Sequence, residues 1–538
     1  MVARLRSELA RLPARPCDDD LVHLLLLAGD LECALHDAGS PPAALEAASR
    51  LTDLLAQAAL ARESHCPLDP RQPALTASQT LGQITPSGMV SVSVPEGFAW
   101  YALHPLDFAD VVGRLELAAP EIFVIGIRTI GTTLSAVVAA ELVRMGIRAQ
   151  RATVRPTGHP YYRSCEFDPR QRQSIARAVS SHSAFLICDE GPGRSGSSFL
   201  SVAEALERQG VPRERISILC SHEVDISALC APDAARRWMR YRSVAIGMTR
   251  RLPPDTGDFL GGGDWRGKLL APGDPWPALW PLAERVQYLS HDRQKLLMFE
   301  GHGPWGGPVR SRNQALSDGG FGLPYLGHQL GFGVFSLPPG RLARRDDLSP
   351  ELLTRMAQYC AWRARHFPAD NTSSDGLPDA TRANFELEFG SALDDFALAV
   401  ERPVICDARM APHYWFNPPG GRWLKLDAAV HGDDHFFPGP CDIAWDLAGT
   451  VVEWELSGSA REFLLSAYRR LSGDDASERL ASWEFAYALF RLAWSKMAAV
   501  SLPEGDERQR LLHDYLRYRR IAEALQPAAA TFSAGARL

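Results

Sequence analysis

The chain has 538 residues, 46% of them hydrophobic and 22% charged, with a formal net charge of -7. This is the composition of ordinary folded domains, about three of them at roughly 150 residues each. The acidic balance argues against a general nucleic-acid or membrane-surface binder, and no apolar run nears the roughly 20 residues a membrane span requires.

Ten cysteines are scattered without a CxxC pair, so neither a zinc ribbon nor a disulfide framework is expected. The N-terminus, "MVARLRSELARLPARPCDDD", lacks the apolar core of a signal peptide, and a cytoplasmic protein with reduced thiols is expected. Lysine occurs only at Lys268, Lys295, Lys425 and Lys496, so each can be weighed individually.

Residues 1–85 open with leucine- and alanine-rich blocks at helical spacing, such as "LVHLLLLAGDLECALHDAG" and "AALEAASRLTDLLAQAALA". They predict a helical region acting as a cap or dimerisation element, which makes a homodimer compatible with the sequence. From 86 to 250 the pattern becomes β-rich runs ("IFVIGI", "AQRATVR", "AFLICD", "RISILCSHEV", "RSVAIGM") alternating with helix patterns that stop at Gly146 and Gly210. Such alternation predicts a parallel sheet with helices on its faces. Residues 251–284 are dense in Gly and Pro and read as a linker. The remainder, 285–538, passes from a glycine-rich start through an Asp-, His- and Trp-rich middle to a helical tail.

The first candidate site is "FLICDEGPGRSGSSFL". Asp189 and Glu190 fall at the carboxyl end of a predicted strand, where open parallel sheets bind ligands. The loop after them, with Gly193, Ser195, Gly196, Ser197 and Ser198, leads into a helix whose first N–H groups lack partners and suit a phosphate. A nucleotide P-loop is a poor fit, because Ser197 stands at its lysine position and two acids precede the loop.

Four apolar residues, two acids and a Gly/Ser loop resemble the PRPP-binding signature of type I phosphoribosyltransferases. One strand earlier, "VIGIRTIGTTLSAVVAAEL" resembles that family's pyrophosphate loop, at Arg128, Thr129, Gly131, Thr132 and Thr133. The resemblance covers about 95–250. It implies that Asp189 and Glu190 grip ribose hydroxyls, directly or through Mg²⁺, while the loops hold phosphate. Two departures stand out: the loop after the acids is one residue longer than the pattern, and Arg194 replaces a small residue. "VRPTGHPYYR" could supply a lid, and Phe98, Trp100 and Tyr101 an aromatic one.

The second candidate begins at "KLLMFEGHGPWGG", a G-x-G-x-x-G (Gly301, Gly303, Gly306) after a strand that carries Lys295. Taken alone, this pattern is better explained by a structural glycine turn. Downstream, "PVICDAR" puts Asp407 after an apolar run, and "YWFNPPGGRWLKLD" reads as a hairpin ending at Asp427. With "GPCDIAWDLAG" beyond, the segment resembles aminoglycoside-phosphotransferase-like kinases over about 285–520.

That resemblance implies a bilobal domain with ATP and Mg²⁺, Asp407 as catalytic base, Asp427 as metal ligand, and Lys295, Gly301 and Gly303 at the nucleotide. The second metal ligand, expected near position 412, is replaced by Pro412 followed by His413. A literal "HGDDH" at 431–435 raises two alternatives, catalysis centred on Asp433 or a zinc site from His431, Asp433 and His435. Both fit less well, the first because too few residues separate Asp433 from Asp442, the second because i, i+2, i+4 suits a strand edge.

The expected fold is therefore α/β plus α+β: a helical N-terminal region, a parallel-sheet phosphoribosyltransferase-like domain and a bilobal kinase-like domain. The expected activity is a bifunctional transferase acting on small molecules with PRPP and ATP as cosubstrates. The competing expectation is a PRPP- or nucleotide-sensing regulatory protein whose domains do not catalyse.

Overall fold

The computed structural model describes residues 1–13, 16–63, 71–84, 92–115, 119–247, 251–369, 376–394, 396–430, 437 and 439–532. The chain separates into two compact units. The first comprises 1–254 with 299–307 and 329–332, and the second comprises 255–298, 308–328 and 333–538. Among the described residues, no helix is long and apolar enough to cross a membrane.

In the first unit, helices α1 (Asp18–Asp37) and α2 (Pro42–Glu63) precede an alternating series. It runs β1 (Glu121–Ile127), α3 (Ile130–Arg144), β2 (Arg148–Val154), α4 (Pro169–Ser180), β3 (Ala184–Cys188), α5 (Ser197–Arg208), β4 (Ile216–Cys220) and β5 (Arg242–Ala245). The strands form one parallel sheet in the order β2-β1-β3-β4-β5. Gly146 and Gly210, just beyond α3 and α5, take the left-handed conformation that ends a helix (φ 81° and 84°).

Strand side chains alternate between two cores, as a doubly covered parallel sheet requires. Ile122, Val124, Leu186 and Leu219 pack with α1, α2 and α3, while Phe123, Ile125, Phe185, Ile187 and Ile218 pack with α4 and α5. The N-terminal helices therefore share the sheet's core and do not form a separate domain. Arg151 of β2 fixes them polarly as well. It is 2.9 Å from Glu32, 2.7 Å from Asp53, and donates to the Ser49 carbonyl at 3.0 Å.

The second unit contains a five-stranded sheet in the order β6-β7-β8-β10-β9, from β6 (Thr256–Phe259), β7 (Gln287–Ser290), β8 (Lys295–Phe299), β9 (Tyr325–Gln329) and β10 (Phe332–Ser336). β6–β7 and β7–β8 are antiparallel. The Gly/Pro-rich stretch expected as a linker is thus built into the unit: it supplies β6 and returns through Glu284 to β7. Helix α6 (Gly303–Asp318) follows β8.

The rest of this unit is mainly helical: α7 (Pro350–His366), α8 (Ala444–Glu453), α9 (Gly458–Ser472), α10 (Leu480–Ser501) and α11 (Asp506–Phe532). Its core holds Tyr359, Trp415, Trp445, Tyr468 and Trp483. The predicted hairpin is present, with Trp415–Asn417 antiparallel to Leu424–Lys425.

Candidate functional site

In the first unit, the chain leaves β1 toward β2 on one side and later returns to β3 on the other. The carboxyl ends of β1 and β3 therefore flank a topological switch point, where open α/β sheets bind ligands. The loops after β1 and β3 are the two that the sequence singled out.

After β1 the backbone turns sharply. Thr129 has φ 109° and ψ -95°, a conformation foreign to a β-branched residue that costs roughly 1–3 kcal/mol and tends to mark functional turns. Helix α3 starts so close to the strand that a Cβ at Gly126 would lie 2.2 Å from the Gly131 carbonyl. Asp189 reaches the same turn, its carboxylate accepting from the amides of Glu190 (2.9 Å) and Gly131. Thr132, by contrast, is fully buried, and among the described residues its hydroxyl has no hydrogen-bond partner, so it does not face a ligand as expected.

Burial raises Asp189 to about 7, and burial with the neighbouring charges of Asp189 and Glu96 raises Glu190 to about 8. Two adjacent carboxylates near neutrality, at a switch point, are the kind of perturbed pair found at functional sites. Oxygen donors that repel one another also fit a hard divalent cation. Because each folded-state pKa is raised, the pair is favourable while protonated and costs stability once pH climbs past the unfolded values. Glu190→Gln is therefore expected to stabilise the protein increasingly from about pH 4.5 to 8, where the effect levels off. Melting temperatures at pH 5 and pH 8 check this, with a gain of about 2–4 °C per kcal/mol that is much larger at pH 8 than at pH 5.

The loop after the acids stays open at its tip. Gly193 and Arg194 are exposed, and the amides of Gly193, Arg194, Ser195 and Ser198 meet no acceptor among the described residues. Gly196 (φ 71°) starts α5, and Ser195 Oγ lies 3.0 Å from Ser197 Oγ. Ser197 itself is buried, its hydroxyl donating to the Pro160 carbonyl, so the "VRPTGHPYYR" segment does meet this loop. Tyr161 and Tyr162 of that segment are exposed, whereas Phe98, expected in an aromatic lid, is in the core.

The expectations for the glycine loop and Lys295 do not survive the geometry. A Cβ at Gly303 would meet Leu26 and His23 at 3.0–3.1 Å, and one at Gly306 would strike the Gly301 carbonyl at 2.1 Å. These glycines serve a tight packed turn, not an open phosphate cradle. Lys295 points to Asp255 (3.1 Å), both part-exposed, and lines none of the cavities below.

Asp407 is likewise displaced from the role expected of it. It is 0% exposed, 2.9 Å from Lys425 Nζ, and accepts from Tyr359 OH at 2.6 Å. Asp446, also buried, accepts from the amides of Asp407 (3.0 Å) and Ala408 (2.9 Å), and lies 3.7 Å from Arg363 Nε. This sealed network holds Ala408 at φ 63° and turns Arg409 outward.

Arg409 lines two of three neighbouring cavities. An apolar slot of about 690 Å³ runs along Leu337–Gly340 and includes Leu296, Leu342 and Leu426, with Lys268 and Arg293 at its border. It shares Leu296, Leu342 and Leu426 with a small cavity of about 60 Å³ that contains Asp427, Glu284, Arg409, His413 and Tyr414. The last four, Asp427 excepted, also line a third cavity of about 610 Å³, walled by Trp276, Trp280, Trp494, Tyr487 and Tyr518.

Within the small cavity, Glu284 accepts from Gly263 N (2.7 Å) and Trp265 Nε1 (3.0 Å), and burial with the charge of Asp427 raises its carboxyl. Arg409 donates to Tyr414 OH at 2.7 Å. Asp427, at φ 49°, supplies a second carboxylate. His413 stacks on Trp265 with ring centroids 5.5 Å apart and is kept neutral by burial, at about 3. A hard cation such as Mg²⁺ prefers oxygen, so the Asp427 carboxylate suits it better than the neutral His413 imidazole, although among the described residues no group of three or more His, Cys, Asp or Glu side chains forms a metal site. The stretch 431–435, with the alternatives placed there, lies outside the described residues.

The sequence reading missed Glu284, Trp265 and Arg409. The first two sit in a stretch whose Gly/Pro content reads as a linker, and nothing local marks Arg409.

No family model and no curated protein matches the chain. Thirty-eight chains of solved structures do. A choline/ethanolamine kinase family protein from Mesorhizobium loti is 16% identical, with 50% of this chain and 98% of that one covered and a TM-score of 0.35. A choline kinase from Streptococcus pneumoniae is 14% identical (44% and 89% covered, TM-score 0.30). An aminoglycoside phosphotransferase from Alicyclobacillus acidocaldarius is 13% identical (46% and 90% covered, TM-score 0.29).

Proposed function

We propose that the chain is a small-molecule transferase whose second unit passes phosphoryl groups from ATP to an acceptor. The observation that carries this reading is the line of three cavities: apolar slot, carboxylate-lined junction, large aromatic chamber. A flat base suits the slot, a terminal phosphate and Mg²⁺ suit the junction, and an acceptor suits the chamber. Mg²⁺ would neutralise charge on the phosphates and hold them in line.

The chain's own residues divide the work by position. Asp427 lines the junction but not the chamber, so it holds the cation. Glu284 lines both and is oriented by two donors, so it takes the proton of the acceptor hydroxyl. Arg409, fixed by Tyr414, lies where negative charge builds on the transferred group. Asp427→Asn is expected to weaken Mg²⁺-dependent ATP binding about tenfold, the scale of one charge-assisted contact. Calorimetric titration with ATP, with and without Mg²⁺, checks it, and unchanged binding would remove Asp427 from the site.

In the first unit, the same proposal places a 5-phosphorylated ribose compound of the PRPP type at the β1/β3 switch point. Its phosphate meets the free amides of 193–195 and 198, and its hydroxyls meet Asp189 and Glu190.

A second reading has a specific observation in its favour. The carboxylate expected as base, Asp407, is sealed, and a cation, Arg409, stands in the cavity. On this reading the chain senses nucleotides without transferring phosphate. ATP binding with no phosphorylated product across an acceptor panel supports the sensor, whereas product formation supports the transferase.

A further inference from the structure

Helix α1 ends beside the strained turn at Thr129, and its last residue, Asp37, is gripped by two arginines. Arg128 Nε is 3.2 Å from Oδ1. Arg155 donates through Nε to Oδ1 at 3.1 Å and through Nη2 to Oδ2. Arg128 follows β1 and Arg155 follows β2, so both guanidinium groups stand at the carboxyl ends of neighbouring strands. Arg155 Nη1 also donates to Thr129 Oγ1 at 3.2 Å, tying the pair to the turn. The Arg128 Nε–Asp37 approach is an ion pair without hydrogen-bond geometry, so among the described residues that buried N–H has no hydrogen-bond acceptor. Burial pushes the Asp37 carboxyl up, but Arg155 and Arg128 outweigh it and hold Asp37 below the usual carboxylate range, so it is ionised at neutral pH.

Two fixed cations sharing one carboxylate leave a net positive charge. We infer that Asp37 is a specificity-determining residue of the ribose-phosphate site: it occupies the seat of a diphosphate group and yields only to an anion that satisfies both arginines. The inference rests on the ribose-phosphate reading of the first unit. A single phosphate exchanges for Asp37 with little gain. A diphosphate brings more charge and enough acceptor oxygens for both guanidinium forks, which favour bidentate oxyanions.

The test titrates the full-length chain and its Asp37→Asn variant with inorganic pyrophosphate, inorganic phosphate and PRPP. The variant is expected to bind pyrophosphate at least tenfold tighter, with a narrower preference for pyrophosphate over phosphate. An affinity equal to or weaker than that of the unaltered chain overturns the role of Asp37 and leaves the ribose-phosphate site standing. Failure of both proteins to bind pyrophosphate or PRPP overturns the site and the inference together. Hydrogen–deuterium exchange on the unaltered chain gives a readout that does not depend on the variant folding. Bound pyrophosphate is expected to speed exchange at the end of α1 by freeing Asp37, and unchanged or slowed exchange there contradicts the inference.

Discussion

Replacing Asp446 by alanine is expected to destabilise the second unit by about 3–5 kcal/mol, the scale for breaking a buried charged network. Asp446 is 0% exposed and accepts from two consecutive backbone amides, Asp407 and Ala408. Alanine leaves both amides without an acceptor and removes one counter-charge from the fully buried Arg363, which keeps its bonds to Tyr359 OH (2.7 Å) and the carbonyls of Ile405 and Ala428. The second consequence is functional. Ala408 is held at a positive φ by this carboxylate, and that bend aims Arg409 at the cavities. Denaturant midpoints should fall and ATP binding should weaken in the same variant. Asp446→Asn, retaining one acceptor oxygen, should lose less. A loss below about 1 kcal/mol would show that the loop is held by something else.

The other large effect is expected at Glu284. If this carboxylate takes the acceptor's proton, Glu284→Gln keeps the shape and the contact with one donor but removes the basic oxygen. Transfer should then drop by roughly 10²–10⁴-fold, the range for a general base, while ATP affinity changes little. The direction of its pKa supports the role: burial and the charge of Asp427 raise it, so activity should rise with pH as Glu284 ionises and then level off. A variant that transfers at the original rate would leave the proton to water, and a pH profile unmoved by the substitution would say the same.

What could be read from the sequence divides along physical lines. The parallel-sheet region was legible because strand–loop–helix repeats with glycine stops carry their signal within about 30 residues. The loops at Thr129 and 191–198 were legible because Gly/Ser turns after apolar runs sit by construction at strand ends. The second unit was harder. "PVICD" reads the same whether its aspartate faces a cleft or a buried lysine. The partners that decide it, Tyr359 and Lys425, lie 48 residues before and 18 after. The G-x-G-x-x-G at 301–306 met a similar fate, since Gly303 answers to His23 and Leu26, nearly 300 residues upstream, while Gly301 and Gly306 pack on each other. Residues 251–284 misled by composition: proline and glycine there shape short turns that carry Trp265 and Glu284 to the cavity wall. The N-terminal helices were correctly periodic, but periodicity does not tell whether an apolar face meets a partner chain or the protein's own sheet.

The central claim, that a nucleotide lies across the slot and junction of the second unit, is tested most directly by photolabelling with an azido-adenine analogue of ATP in the presence of Mg²⁺. The account predicts that the adduct maps to 336–342, which borders the slot, and that excess ATP prevents it. An ATP-protected adduct at 191–198 instead, or no protectable adduct at all, would contradict it.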